Sequence, residues 1–174
     1  MEHTVKKGQT SIEFMLLIVI TLLYIQTVIN PNVNEALSSV SDTTRVSQAR
    51  LATEKLANAV NFVAASNSEA KTTINLFIPD RTIIYCDESK NRIRYETAVD
   101  QNIAKCGVLD NNPANCDKNF ELNPLINLQC AVPPFNITII PGAKVIDSNY
   151  VSNPVTLYVE RDSLGTVTIT GNIS

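Results

Sequence analysis

Tryptophan is absent from this 174-residue chain, histidine occurs once, glycine only five times, and aromatic residues make up 6% of it. Each scarcity excludes something. The single histidine, His3, lies in a segment expected to be removed, so the remaining chain lacks the usual general base and the commonest metal ligand. No Cys-x-x-Cys pair occurs, which removes the zinc-ribbon and thioredoxin spacings. There is no nucleophile elbow, no phosphate-binding glycine loop and no metal-ligand constellation. No enzymatic activity, no catalytic residue, no cofactor and no metal are therefore expected. Charge is sparse as well, at 18% of residues and a net −3. Nucleic-acid binding normally announces itself with a basic surface, so no nucleic-acid partner is expected.

What the chain does have is unevenly placed. The hydrophobic fraction of 44% is ordinary, but it is concentrated near the N-terminus. Within residues 14–29 the only polar residues are Thr21, Gln26 and Thr27. Such a stretch sits at the lower limit for crossing a hydrocarbon core of roughly 30 Å. Lys6 and Lys7 precede it and no lysine follows until Lys55, which puts the N-terminus in the cytoplasm and exports the rest.

Three readings compete for this segment. A cleaved secretory signal needs a small-residue site after the apolar core, and Gln26-Thr27-Val28-Ile29-Asn30-Pro31 offers none. A plain membrane anchor explains the apolar run but not Glu13, a carboxylate at its very start. The third reading starts from the string Lys6-Lys7-Gly8-Gln9-Thr10-Ser11-Ile12-Glu13-Phe14. This resembles the class III signal peptide of archaeal type IV pilin-like proteins: a basic stretch ending in Gly, then Gln at the first mature position and Glu at the fifth. It is unlike the archaeal flagellin version, whose third mature position would be Gly; Ser11 stands there.

The resemblance implies that a prepilin peptidase reads Lys6, Lys7 and Gly8 and cuts between Gly8 and Gln9. The apolar segment is then retained. It further implies that Glu13 and Phe14 serve assembly, and that the partners are the peptidase, the membrane before assembly, the pilus assembly machinery, and copies of this chain or other pilins in a helical filament. The implied location is a single-pass membrane protein with a cytoplasmic N-terminus, then an extracellular pilus or the cell surface. Physical chemistry gives Glu13 a reason. Cleavage converts the Gln9 amide nitrogen to an amine, mostly protonated near neutrality. A charge pair at ~4 Å in an effective dielectric of about 20 is worth about 4 kcal/mol before desolvation. Cleavage would thus create the partner that lets Glu13 enter a packed core. The plainer alternative is a carboxylate that complements the helix dipole at a membrane interface.

Residues 9 to 67 read as one helical region without glycine, broken only by Pro31, where a kink is expected. Beyond it, Val33, Leu37, Val40, Thr44, Ser47 and Leu51 step by four and three, followed by Leu56, Ala59, Val60 and Val63. That stripe is expected to pack against the protein's own domain, with a partner face as the alternative. From residue 72, short β-branched and aromatic runs appear at 73–78, 82–86, 92–98, 136–140, 143–147, 155–160 and 166–170, separated by turn residues. The expected fold class is α+β: a long N-terminal helix, apolar in its first half, packed on a C-terminal antiparallel sheet, like a type IV pilin. The expected segments are a leader at 1–8, a membrane or filament-core helix at 9–30, an amphipathic helix at 31–70, and a β-rich head at 71–174.

Residues 100–134 read as a long Asn- and Pro-rich loop. Its run from Asp110 to Asp117 offers oxygen ligands but lacks the EF-hand glycine and distal glutamate, and reads as a polar turn. Cys86, Cys106, Cys116 and Cys130, an even number in an exported region, are expected to form two disulfides. Four cysteines allow three connectivities, and spacing does not choose among them. Four buried thiols are the alternative. Two sequons, Asn136-Ile137-Thr138 and Asn172-Ile173-Ser174, make Asn136 and Asn172 candidate N-glycosylation sites.

Overall fold

The computed structural model describes residues 4–66, 69–99, 115–131, 135–137, 143–148 and 154–172. It has the expected α+β layout: one long N-terminal helical stretch, then strands. The stretch comprises α1 (Thr4–Tyr24), a π-helical turn (Ile25–Ile29) and α2 (Asn30–Ala64). The chain divides into two compact units, Met1–Ser41 and Asp42–Ser174, with the division inside α2.

In the first unit the backbone stays helical through Pro31. The disruption expected at the proline falls one turn earlier, as the π turn, where the Asn30 N–H donates to the Ile25 carbonyl. A proline without an N–H leaves the ladder one donor short, and a wider turn beside it is one way a helix absorbs that defect. The two threonines of the apolar stretch bond back to their own helix. Thr21 Oγ1 donates to the Leu17 carbonyl at 2.8 Å, and Thr27 Oγ1 to the Leu23 carbonyl at 2.7 Å. Such back-bonding lets a hydroxyl sit in an apolar surrounding without an orphaned donor.

The second unit is built from residues 42–64 of α2 and two sheets. The first sheet has the order β1 (Ala70–Leu76), β8 (Val155–Arg161), β9 (Thr166–Asn172), β5 (Asn127–Cys130). The second has the order β4 (Asn115–Glu121), β3 (Arg92–Ala98), β2 (Thr82–Asp87), β7 (Ala143–Asp147), β6 (Asn136–Ile137). The expected all-antiparallel pairing holds throughout the second sheet. In the first sheet β5 runs parallel to β9, with Asn127 opposite Thr166 and Cys130 opposite Ile169.

Every run read as a strand from the sequence contains one. The first is displaced, at Ala70–Leu76, and the run at 136–140 is described only as far as Ile137. Two further strands, β4 and β5, lie inside the stretch read as a loop. Asn115, Asn119 and Asn127 disfavour strands intrinsically, and β5 is four residues long, too short for its alternation to stand out. Tertiary pairing overrides that: β4 docks along β3 from Ala98–Asn115 to Arg92–Glu121. Of the polar run at 110–117, residues 110–114 lie outside the described residues.

The core joins helix and sheets. Leu56, Val60, Val63, Ile84, Ile93, Phe135, Ile146, Leu157, Val159, Val167 and Ile169 have no exposed surface. Each large side chain so buried contributes about 1.5–3 kcal/mol. Leu56, Val60 and Val63 of the expected stripe are buried as expected, but the face differs in the stripe's first half. Asp42, Ala49, Ala52, Thr53, Leu56, Ala57, Val60 and Val63 are buried. Val33, Leu37, Val40 and Leu51 remain 48%, 63%, 65% and 62% exposed, and Thr44 and Ser47 are exposed too. Three of the buried positions, Ala49, Ala52 and Ala57, are alanines, which hydropathy spacing undervalues as core residues.

Cys86 on β2 is bonded to Cys130 on β5, so one disulfide joins the two sheets, with Cα atoms 6.5 Å apart. Cys106, and the side chain of Cys116, lie outside the described residues. Beside the bridge, Glu88 Oε1 accepts from the Cys130 N–H at 2.7 Å and from Lys144 Nζ at 2.8 Å, and Lys144 also donates to the Cys130 carbonyl at 2.5 Å. The first sheet has β1 and β5 at its edges; at β1, Lys55 Nζ from α2 donates to the Asn75 carbonyl at 2.9 Å.

Candidate functional site: an exposed apolar helix

The N-terminal helix follows from its composition. Its residues after Gly8 lack glycine and proline until Pro31, and leucine and methionine are strong helix formers. Lys6, Lys7, Gly8 and Gln9 lie within α1; their side chains are outside the described residues. Glu13 and Phe14 sit side by side on α1, both exposed, Phe14 at 66%. From there every large apolar residue is exposed, from 70% at Ile12 to 39% at Ile25. Exposure does not favour one face, so the helix is apolar all round. The helix is long and apolar enough to cross a membrane. Residues 12–29 span about 27 Å at 1.5 Å per residue, close to a hydrocarbon core.

The structure bears on how Glu13 meets the helix dipole. Helix α1 is already formed at Thr4, and no acidic residue falls in its first turn. Glu13 is two turns further in, beyond the reach of the dipole, which fades after the first turn. A cut at Gly8–Gln9 would move the helix start to within about one turn of it.

The second unit carries polar clusters that sequence reading passed over as turns and strand faces. Asp87 accepts from Ser89 Oγ at 2.7 Å, the Lys90 N–H at 3.1 Å and Arg92 Nε at 3.0 Å. Burial works against its ionisation, but the bonds from Ser89, Arg92 and Lys90 prevail and hold its carboxyl below the usual range. Tyr85 donates to Glu96 Oε2 at 2.9 Å and lies under the Arg94 guanidinium, 4.3 Å from the ring centre. Burial, reinforced by Glu96, pushes its phenol up to about 12. Asp42, fully buried, pairs with Arg45 at 2.9 Å, and Arg45 donates to the Ala98 carbonyl at 3.3 Å, tying α2 to the end of β3. The contacts given for these groups are hydrogen bonds and ion pairs with neighbouring strand, turn and helix residues. Among the described residues, no set of three His, Cys, Asp or Glu side chains could hold a metal ion. The only signal for these clusters in sequence is alternating charge along β3, Arg92, Arg94 and Glu96, which reads equally well as a solvated face.

The sequons fall on strands. Asn136 opens β6, the edge of the second sheet, opposite Val145, and Asn172 ends β9 opposite Thr156. Comparison with protein-family models, with curated proteins and with solved structures finds no match to this chain.

Proposed function

We propose that this chain is a structural or adhesive subunit of an archaeal type IV-like pilus, cut by a prepilin peptidase between Gly8 and Gln9 and polymerised through its N-terminal helix. The observation that supports this most is the helix of residues 12–29, apolar on every side, exposed along its length, and opening on the Gln9–Glu13 register. A dozen such side chains, at about 1.5–3 kcal/mol each, cannot remain in water. Lipid and a bundle of identical helices satisfy the requirement alike, so exchange between them costs little. The second unit, with its own core and inter-sheet disulfide, would be the exported head. Cys106 and Cys116 would pair as its second bridge, and Asn136 and Asn172 would be open to glycosylation.

A membrane-anchored binding module that never polymerises shares the helix and leaves the register without purpose. Intact mass after membrane extraction separates the two. An N-terminus at Gln9, with filaments of this protein in sheared surface material, is the expected result. An uncleaved chain and bare shearings overturn it.

A further inference from the structure

The second unit leaves two of its largest apolar side chains almost wholly in solvent: Leu125 at 90% and Leu164 at 89%. Both sit on tight turns, and the turns lie together. Strands β5 and β9 run parallel and begin side by side, with Asn127 opposite Thr166 and Asn127 Nδ2 donating to Thr166 Oγ1 at 3.4 Å. The β4–β5 turn carrying Leu125 and the β8–β9 turn carrying Leu164 therefore project from the same end of the sheet. The end of α2 is tied to it: Arg161 donates to the Ala64 carbonyl at 2.9 Å, and the Asn123 N–H to Asn61 Oδ1 at 3.4 Å. Phe62, 70% exposed, lies beside Asn61.

Neither turn is loose. Asp162 Oδ1 accepts from the Leu164 and Thr166 N–H groups at 2.9 and 2.8 Å, and Gly165 holds φ at +86° to complete the turn. Asn123 Oδ1 accepts from the Leu125 N–H at 3.0 Å. Two leucines held out on rigid turns make a preformed apolar knob, with little ordering cost on docking. Asp162 and Glu121, both exposed, set two negative charges at its margin against the one positive charge of Arg161, which lies beside Gly165.

The same unit carries a groove of about 370 Å³ lined by Gln48, Leu51, Ala52, Lys55, Leu76 and Phe77. Ala52 and Leu76 are buried in its floor, while Leu51 and Phe77 stand 62% and 56% exposed. Lys55 gives its margin positive charge. Groove and knob are at different places on one compact unit. From Leu51 to Asn61 the helix rises about 15 Å, and β1 covers about 20 Å from Ala70, paired with Arg161 by the knob, to Leu76 in the groove.

We infer that the Leu125–Leu164 knob of one copy docks in the Leu51–Phe77 groove of the next, a head-to-head contact additional to the helices. The occupant is a second copy because the chain itself supplies both shapes and both charge signs: Asp162 and Glu121 on the knob meet Lys55 on the groove. Two different patches meeting in this way form a heterologous contact, which does not close on itself when the rotation is wrong for a ring and instead propagates as a helix. The inference rests on the reading of the chain as a polymerising subunit.

The test uses the full chain expressed in membranes, with a benzophenone amino acid in place of Leu164. On illumination, a covalent dimer whose linked peptide carries Leu51 or Phe77 is the expected result. Leu164→Lys and Leu51→Glu, each at an exposed position, should lower filament yield roughly tenfold or more. A retained Cys86–Cys130 peptide would show the head still folded. Filaments of normal yield from Leu164→Lys, or dimers linked only through other peptides, overturn the contact and leave polymerisation standing. Absence of filaments from the unaltered chain overturns polymerisation, and this contact with it.

Discussion

Asp87 and Tyr85 belong to one strand and respond to pH at opposite ends of the scale. The Asp87 carboxyl is held below its ordinary value, so its bonds stabilise the fold above the unfolded value of about 3.9. That contribution is lost as pH falls through the lower folded value. Asp87→Asn should therefore flatten the acid limb of a stability–pH curve measured by urea unfolding, with little change in its slope near neutrality. Tyr85 runs the other way. Its folded value of about 12 lies above the unfolded value of about 10. Its contribution is complete below pH ~10 and disappears as pH rises toward 12. Ultraviolet titration should show a phenol ionising near 12 that is missing from Tyr85→Phe. Neither cluster could be found from spacing alone. Asp87 gathers its partners from a turn, and Tyr85 meets Glu96 only because β2 and β3 pair with Ile83 opposite Glu96.

At the level of elements, the bridge between β2 and β5 dominates. It closes a separation of 44 residues, and in the chain-entropy account such a loop is worth about 4 kcal/mol. Cys86→Ser should lower unfolding free energy by about that amount in guanidinium titration, within the 2–5 kcal/mol usual for native bridges. Peptide mapping without reductant should recover Cys86 linked to Cys130. The number and region of the cysteines were legible in sequence; the pairing was not, because β5 itself was hidden in an Asn-rich stretch. The hairpins were legible where β-branched and aromatic runs lay between turn residues, as in β2, β3 and β8. The helix was legible as a helix but not in its orientation. Leu51 reads as core by spacing, yet Ala49 and Ala52 are the buried residues there.

On the scale of the whole molecule, the two units divide the work. The core of buried side chains belongs to Asp42–Ser174, while the apolar helix of 12–29 buries nothing within the chain. Changes in the first unit should then leave the head's stability alone and act on assembly. Glu13→Ala is the sharpest case. It should be processed and inserted normally, because it removes a charge from an apolar helix, yet should fail to build filaments for want of the carboxylate that meets a new amine. Micrographs of sheared material, read beside the intact mass, check both halves; normal filaments from processed Glu13→Ala would sink the assigned role. The apolar run and its register with Gln9 were the clearest things in the sequence.

Lys55 has a consequence of its own. A sheet with an open edge is a template, and any process that crowds thousands of identical copies at one surface invites those edges to zip together. The ammonium group laid on the Asn75 carbonyl occupies an acceptor that an incoming strand would need. It also places a charge where that strand's backbone would have to lie. Edge-to-edge pairing of two copies through β1 would have to displace that bond and bury that charge before it could begin.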